Sequence, residues 1–258
     1  VPIAGMHGGF RGAAPVLFFR LSAGLLQQND IVTITYGARS QGGGGLLMPT
    51  FSSDRMPFPL YVDFDGNGPL YSLPIQPIRV IGAAVDGVHG FAPSVVRPGE
   101  SFTLAVRAQD AYYNRASGSI PGWQVFYKDQ VIATLSTGEE ALQTVEGIQF
   151  QDEGVVRLSI RSAVGAITGK VNPILVSADA QRIYWGDTHG HSGFAEGIGT
   201  PERFMTWAKE DARLDFVTHS EHDIWLDDSE WQHLKENVEA YSEPGRFIAY
   251  LGYEWTTR

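Results

Sequence analysis

The chain has 258 residues, 43% of them hydrophobic, which is enough to bury one large core or two to three smaller ones. Its formal charge of −10 argues against a sequence-independent grip on nucleic acid or an anionic membrane surface, and no apolar run is long enough to span a bilayer. With no cysteine, disulfides and thiolate metal sites are excluded, so any metal must rest on imidazole, carboxylate and water.

Residues 1–15 are rich in Gly, Ala and Pro without periodicity and read as an irregular lead-in. The first residue is Val1, which fits a processed or excerpted product; export with a removed signal peptide is compatible, and the compartment stays open. Residues 16–21 read as a buried strand. Asn29-Asp30 then turns the chain into Ile31-Val32-Thr33-Ile34-Thr35-Tyr36, whose β-branched content predicts another. After the flexible run Gln41-Gly42-Gly43-Gly44-Gly45, Leu60-Tyr61-Val62-Asp63-Phe64 completes an expected N-terminal β domain over residues 16–81. The stretch Asp63-Phe64-Asp65-Gly66-Asn67-Gly68 has the alternating acids of a calcium loop, but its twelfth position is Pro74, where a bidentate Glu is required. A hairpin turn is the simpler reading.

Residues 74–82 read as a linker into a second β domain, residues 82–180. There, turn signals such as Arg97-Pro98-Gly99-Glu100, Pro121-Gly122, Lys128-Asp129-Gln130 and the stretch from Asp110 to Asn114 separate short β-rich runs. That spacing predicts an immunoglobulin-like β-sandwich, serving folding or docking and not chemistry. His89, alone between glycines, reads as a surface loop residue.

From residue 181 the texture changes to strand, helix, strand, helix, strand. Ile183-Tyr184-Trp185 leads into Gly186-Asp187-Thr188-His189-Gly190-His191-Ser192-Gly193, and Thr200-Pro201-Glu202 starts a helix with an N-cap, Pro at the first position and an acid in the first turn. Residues 214–218 form the next expected strand. Asp228 or Ser229 caps a second helix with Trp231, Leu234, Val238 and Tyr241 on one face, and residues 247–251 make the third strand. Such alternation implies a parallel sheet with functional groups at the strands' C-terminal ends. His189 and His191, two apart on a strand, can converge on one point. Glu221 and His222 end the second strand and Glu254 the third, so imidazoles and carboxylates gather at three neighbouring tips, the mixed N/O set of a divalent metal site.

These residues resemble the PHP superfamily, named for polymerase and histidinol phosphatase domains, and most closely its domain of unknown function 3604 branch. The resemblance rests on Tyr184-Trp185-Gly186-Asp187-Thr188-His189-Gly190-His191-Ser192, Glu196-Gly197, Gly199-Thr200-Pro201-Glu202, Leu214-Asp215-Phe216-Val217, Glu221-His222-Asp223 and Gly252-Tyr253-Glu254-Trp255. Weaker matches ahead of these are Asp30 to Tyr36 and Asp110 to Asn114. The resemblance implies the first three strands of a distorted β/α barrel following the β domains, and two or three divalent ions, zinc, manganese or iron. It makes His189, His191, Glu196, His222 and Glu254 ligands. Glu221, where an Asp is common, is either a ligand or a group that orients one. His219 stands where the family is usually apolar, as a buried histidine satisfied by a neighbour or as a functional one. Asp187 either holds an imidazole in the correct tautomer or caps a turn.

The implied activity is metal-assisted hydrolysis of a small-molecule phosphoester, with a metal-activated hydroxide for in-line attack and no Ser or Cys nucleophile. Acyl or C–N hydrolysis is the neighbouring alternative, and a non-catalytic β-rich binding or assembly protein with an incomplete barrel is the alternative from another class. Residues 181–258 supply only part of a barrel, so the remainder is expected from the same longer polypeptide or from another chain.

Overall fold

The computed structural model describes residues 19–40, 42–56, 58, 60–66, 68–195, 197 and 199–256. The first strands among the described residues are four short ones: β1 (Ser53–Met56), β2 (Leu60–Val62), β3 (Tyr71–Leu73) and β4 (Ile78–Val80). β1 pairs with β4 and β2 with β3, both antiparallel. The β2–β3 turn is closed by Asp63, whose Oδ1 accepts from the amides of Gly66 at 2.8 Å and Asp65 at 3.1 Å. A hairpin turn therefore occupies the stretch weighed as a calcium loop.

Two expectations for this region are corrected. Residues 31–36 form no strand, and Ile31 is 87% exposed: β-branched side chains favour a strand only where a neighbouring ladder and a covered face receive them. The stretch read as a linker contains β4. Residues 1–15, and residues 16–18 of the first expected strand, lie outside the described residues; residues 19–21 are not in a strand.

Ten strands follow: β5 (Gly87–Phe91), β6 (Val95–Val96), β7 (Phe102–Gln109), β8 (Trp123–Tyr127), β9 (Gln130–Leu135), β10 (Leu142–Ile148), β11 (Gly154–Val156), β12 (Leu158–Ser162), β13 (Thr168–Val171) and β14 (Ile174–Val176). They make a seven-stranded sheet in the order β10-β7-β5-β13-β12-β8-β9 and a three-stranded sheet in the order β11-β14-β6. Inward residues of the large sheet, among them Leu104, Val106, Trp123, Val125 and Ile160, share one core with Val96, Val156, Ile174 and Val176 of the small one. Each such aliphatic side chain contributes about 1.5–3 kcal/mol on full burial, which gives this β-sandwich its own basis for folding. His89 belongs to β5 and not to a loop. Burial, and then the charge of Arg107, lower its pKa, which favours the neutral imidazole.

Asp110, just past β7, joins the sandwich to the N-terminal segment. Its carboxylate accepts from the amides of Ala83, Tyr112 and Asn114 at 2.9–3.0 Å, while the Asn114 side chain reaches Ser52 and Thr50. Burial alone would raise this carboxyl, but the hydrogen bonds from Ala83, Asn114 and Tyr112 outweigh it and the pKa is lowered. A lowered native pKa stabilises fully above the ordinary aspartate range, near pH 4, and the gain is lost as pH falls through the native value. Urea unfolding of wild type and Asp110→Asn across the acid range should therefore give a stability difference that narrows as pH drops below about 4. A difference that stays constant there would contradict the network's role.

The last part holds β15 (Gly186–Gly190), α1 (Pro201–Thr206), β16 (Phe216–His222), α2 (Asp228–Tyr241) and β17 (Ile248–Glu254). The strands form a parallel sheet in the order β15-β16-β17. Thr200 caps α1, accepting from the amide of Arg203 at 3.2 Å, with Pro201 at the first helical position as the sequence predicts. The cap of α2 is Asp227, not Asp228 or Ser229: its Oδ1 takes the Glu230 amide at 2.7 Å and Glu230 returns a bond to the Asp227 amide, a reciprocal capping box. Met205, Ala208, Val217, Phe247 and Ala249 form the core between helices and sheet. Among the described residues no helix is long and apolar enough to cross a membrane.

The helix begun by α1 continues through a π-turn over Trp207–Asp211, closed by the Ala212 amide on the Trp207 carbonyl at 2.7 Å. Asp211, 2% exposed, lies at the junction with the sandwich. Its carboxylate receives Arg203 of α1 at 2.8 Å and Arg115, and its carbonyl receives Arg107 of β7. Arg203 in turn bonds Ser52 at 2.8 Å, so all three parts of the chain meet at one acid.

Candidate metal centre

The three parallel strands start later than the sequence suggests and run through the polar residues expected beyond them. Backbone ladder bonds do not depend on side-chain polarity, so Gly190 pairs with His219 and His222 with Glu254 although the side chains there are polar. That register brings the imidazoles and acids together. His189 Nε2 lies 3.3 Å from Glu254 Oε2, His191 Nε2 lies 3.1 Å from the same oxygen, and His222 Nδ1 lies 3.4 Å from it. The rings of His189 and His191, and of His191 and His222, stand 4.7 Å apart. Ligand atoms of His189, His191 and Glu254 all fall within 4.8 Å of one another.

The cluster is open on one side. The side chains of His191 and His222 are 10% and 14% exposed, that of Glu254 38% and that of His189 54%. Trp225 packs against the His222 ring at 4.3 Å. Gly190 lets β15 lie close to α1: a Cβ there would meet the Phe204 ring at 2.5 Å. The cavity of about 760 Å³ between the N-terminal strands and helices α1 and α2 is lined by Arg55, Phe58, Glu202, His233 and Tyr241 among others. It reaches Phe194 but none of the four clustered residues.

Of the remaining sequence candidates, Asp187 accepts from the amide of His189 at 3.2 Å. The hydroxyl on the His189 Nδ1 belongs instead to Ser220, at 2.9 Å. That is the contact an outer partner of a metal-bound imidazole makes, holding the orientation of its ring. Sequence reasoning missed it, although Ser220 stands two residues before His222 and so shares its face. Glu221 and His219 are buried together on the other face, with His219 Nε2 at 2.8 Å from Glu221 Oε1. The same oxygen accepts from the Ser192 amide at 2.7 Å and hydroxyl at 2.5 Å. Burial by itself raises the Glu221 carboxyl, but the bonds from His219 and Ser192 prevail and hold it below the usual glutamate range. Glu196 lies outside the described residues.

The donor set is consistent with a divalent ion. Three imidazole nitrogens lie within 3.4 Å of one oxygen of Glu254, a nitrogen and carboxylate set of the kind that holds such an ion. Borderline-soft nitrogen with hard oxygen suits zinc, manganese or iron.

No family model matches the chain. It is 25% identical over 226 residues to an uncharacterized protein of Chlamydia muridarum, covering 84% of this chain and 36% of that protein. With an uncharacterized protein of Chlamydia pneumoniae it shares 24% over 245 residues, covering 90% and 39% respectively. The chain thus spans little more than a third of the length of the curated relatives it matches. Among solved structures, the CARDB domain of a Pyrococcus furiosus protein is similar, with a TM-score of 0.29 and 12% identity, covering 36% of this chain and 94% of that domain.

Proposed function

We propose that the chain carries the first part of a divalent-metal-dependent hydrolase of the PHP type, acting most naturally on small-molecule phosphoesters. The observation that carries this reading is the convergence of His189, His191 and His222 on one oxygen of Glu254. The parallel order β15-β16-β17, with a helix between each pair of strands, supports it as the opening of a β/α barrel. In this reading the remaining strands and ligands belong to the same longer polypeptide.

His189, His191, His222 and Glu254 would hold the ion, with Ser220 fixing the His189 ring. A divalent cation supplies Lewis acidity at neutral pH and needs no side-chain nucleophile. Glu254 lends the site its negative charge, and the exposed flank beside His189 is where a substrate would enter.

Metal analysis of the protein in its natural full length tests the reading. Stoichiometric zinc, manganese or iron is expected, with hydrolysis of an aryl phosphate abolished by chelation and restored by the ion. Turnover of an aryl acetate or an amide in preference would move the substrate class to acyl or C–N bonds. A protein free of metal and inert on all three would leave a β-rich binding or assembly role.

A further inference from the structure

Glu221 sits beside His222, but its carboxylate is already engaged on the far face of β16. It is 1% exposed, and Oε1 is bound by the Ser192 amide at 2.7 Å, the Ser192 hydroxyl at 2.5 Å and His219 Nε2 at 2.8 Å. Burying a carboxylate so completely costs more than burying an aliphatic residue of the same size, so a chain selected for stability alone would carry a hydrophobe here. What the acid adds is direction. Two of its bonds fall on the residue that follows His191, and an amide bond at Ser192 constrains the backbone from which the His191 imidazole projects.

The surrounding chain is wound equally tightly. The Ser192 carbonyl accepts from the amides of Gly197 at 2.9 Å and Ala195 at 3.2 Å, and a Cβ on Gly197 would meet the His191 carbonyl at 2.2 Å. On the other side of His191, the Gly190 amide is held by Ser220 Oγ at 3.2 Å. His219 braces the carboxylate from beneath, its own ring packed 4.9 Å from Phe204. Strand β16 therefore serves both histidines of β15: Ser220 holds the His189 ring from one face, and Glu221 holds the backbone after His191 from the other.

We infer that Glu221 is a positioning residue and not a ligand: through Ser192 it fixes the aim of His191 Nε2 at Glu254, with His219 as its support. The inference rests on reading the cluster as a metal centre. Because an acceptor oxygen is what the role demands, glutamine can largely fill it, whereas a coordinating carboxylate would be lost on the same change.

The test uses Co²⁺ alone as the probe, titrated into the full-length protein, with d–d absorption reporting affinity and geometry. Glu221→Ala is expected to weaken cobalt binding about 10–100-fold and to change the spectrum, while Glu221→Gln restores most of both. Ser192→Ala, which keeps the amide bond to Glu221 but removes the hydroxyl's bonds to Glu221 and from the Phe194 amide, should fall between them even if Glu221→Ala does not fold. Variants that are folded and bind as wild type does would overturn the inference. So would a glutamine variant as impaired as the alanine one, which would make Glu221 a ligand. Wild type that binds no cobalt would instead sink the metal centre. The positioning claim would then be decided by the His191 ring resonances of the ion-free protein, which must move in Glu221→Ala while those of His89, in strand β5 of the sandwich, do not.

Discussion

Replacing Asp211 with alanine is expected to cost about 3–5 kcal/mol of folding stability, read as a lowered midpoint in urea unfolding. Asp211 is 2% exposed and is the counter-charge for Arg203 at 2.8 Å and for Arg115, while its carbonyl holds Arg107. Removing the carboxylate leaves guanidinium groups facing each other across a junction where Arg107 is only 8% exposed. An uncompensated buried charge is far more costly than the pair was worth, which is why one change here outweighs most single changes in the β-sandwich. Arg203 also loses the partner that aligns it on Ser52, so the N-terminal strands loosen with the helix. A loss smaller than about 1 kcal/mol would mean that water already compensates these charges and that the junction is not a buried network.

His191→Ala is the second change with a large effect. It is expected to reduce affinity for zinc by more than about 100-fold, since even outer partners of a ligand cost 10–100-fold and His191 is the nearest of the three imidazoles to Glu254, at 3.1 Å. The measurement is competition against a chromogenic chelator on protein first freed of metal. Stability should change little, because the ring does not belong to the Met205–Phe247 core. Unchanged affinity in the folded variant would show that the ion, if bound, sits elsewhere.

The features legible in the sequence were those written in neighbouring residues. Thr200-Pro201-Glu202 carries its whole helix start within three positions, and the predicted cap and first turn are found. The spacing of short strands and turns likewise carried the β-sandwich. His189, His191, His222 and Glu254 could be picked out because parallel strands alternating with helices bring their tips together by topology alone. Three consecutive residues, Asp227, Asp228 and Ser229, are all suited to capping α2, and the reciprocal bond with Glu230 selects Asp227.

Contacts made across space left no such trace. The bonds of Asp211 to Arg107 and Arg115 join residues 104 and 96 positions apart, and nothing local marks an acid in a helix as the anchor of a distant sheet. Glu221 and His219 read as ambiguous because the alternation of a strand says which residues share a face, not which face meets the loop after His191. Ile31-Val32-Thr33-Ile34-Thr35-Tyr36 misled in the opposite direction: its composition is that of a strand, yet a strand is made by its partner, and none of the described residues pairs with it.

The π-turn at Trp207–Asp211 gives the helix one residue of slack. Such a turn holds one residue more than the α-helical turn it replaces, so a single deletion within it can be absorbed by a return to ordinary winding, whereas a second would rotate everything after it by about 100°. Substitutions at the outward positions keep the count and leave Asp211 facing the sandwich. Replacing Asp211 itself does not, so within this turn the acid is the position that cannot drift.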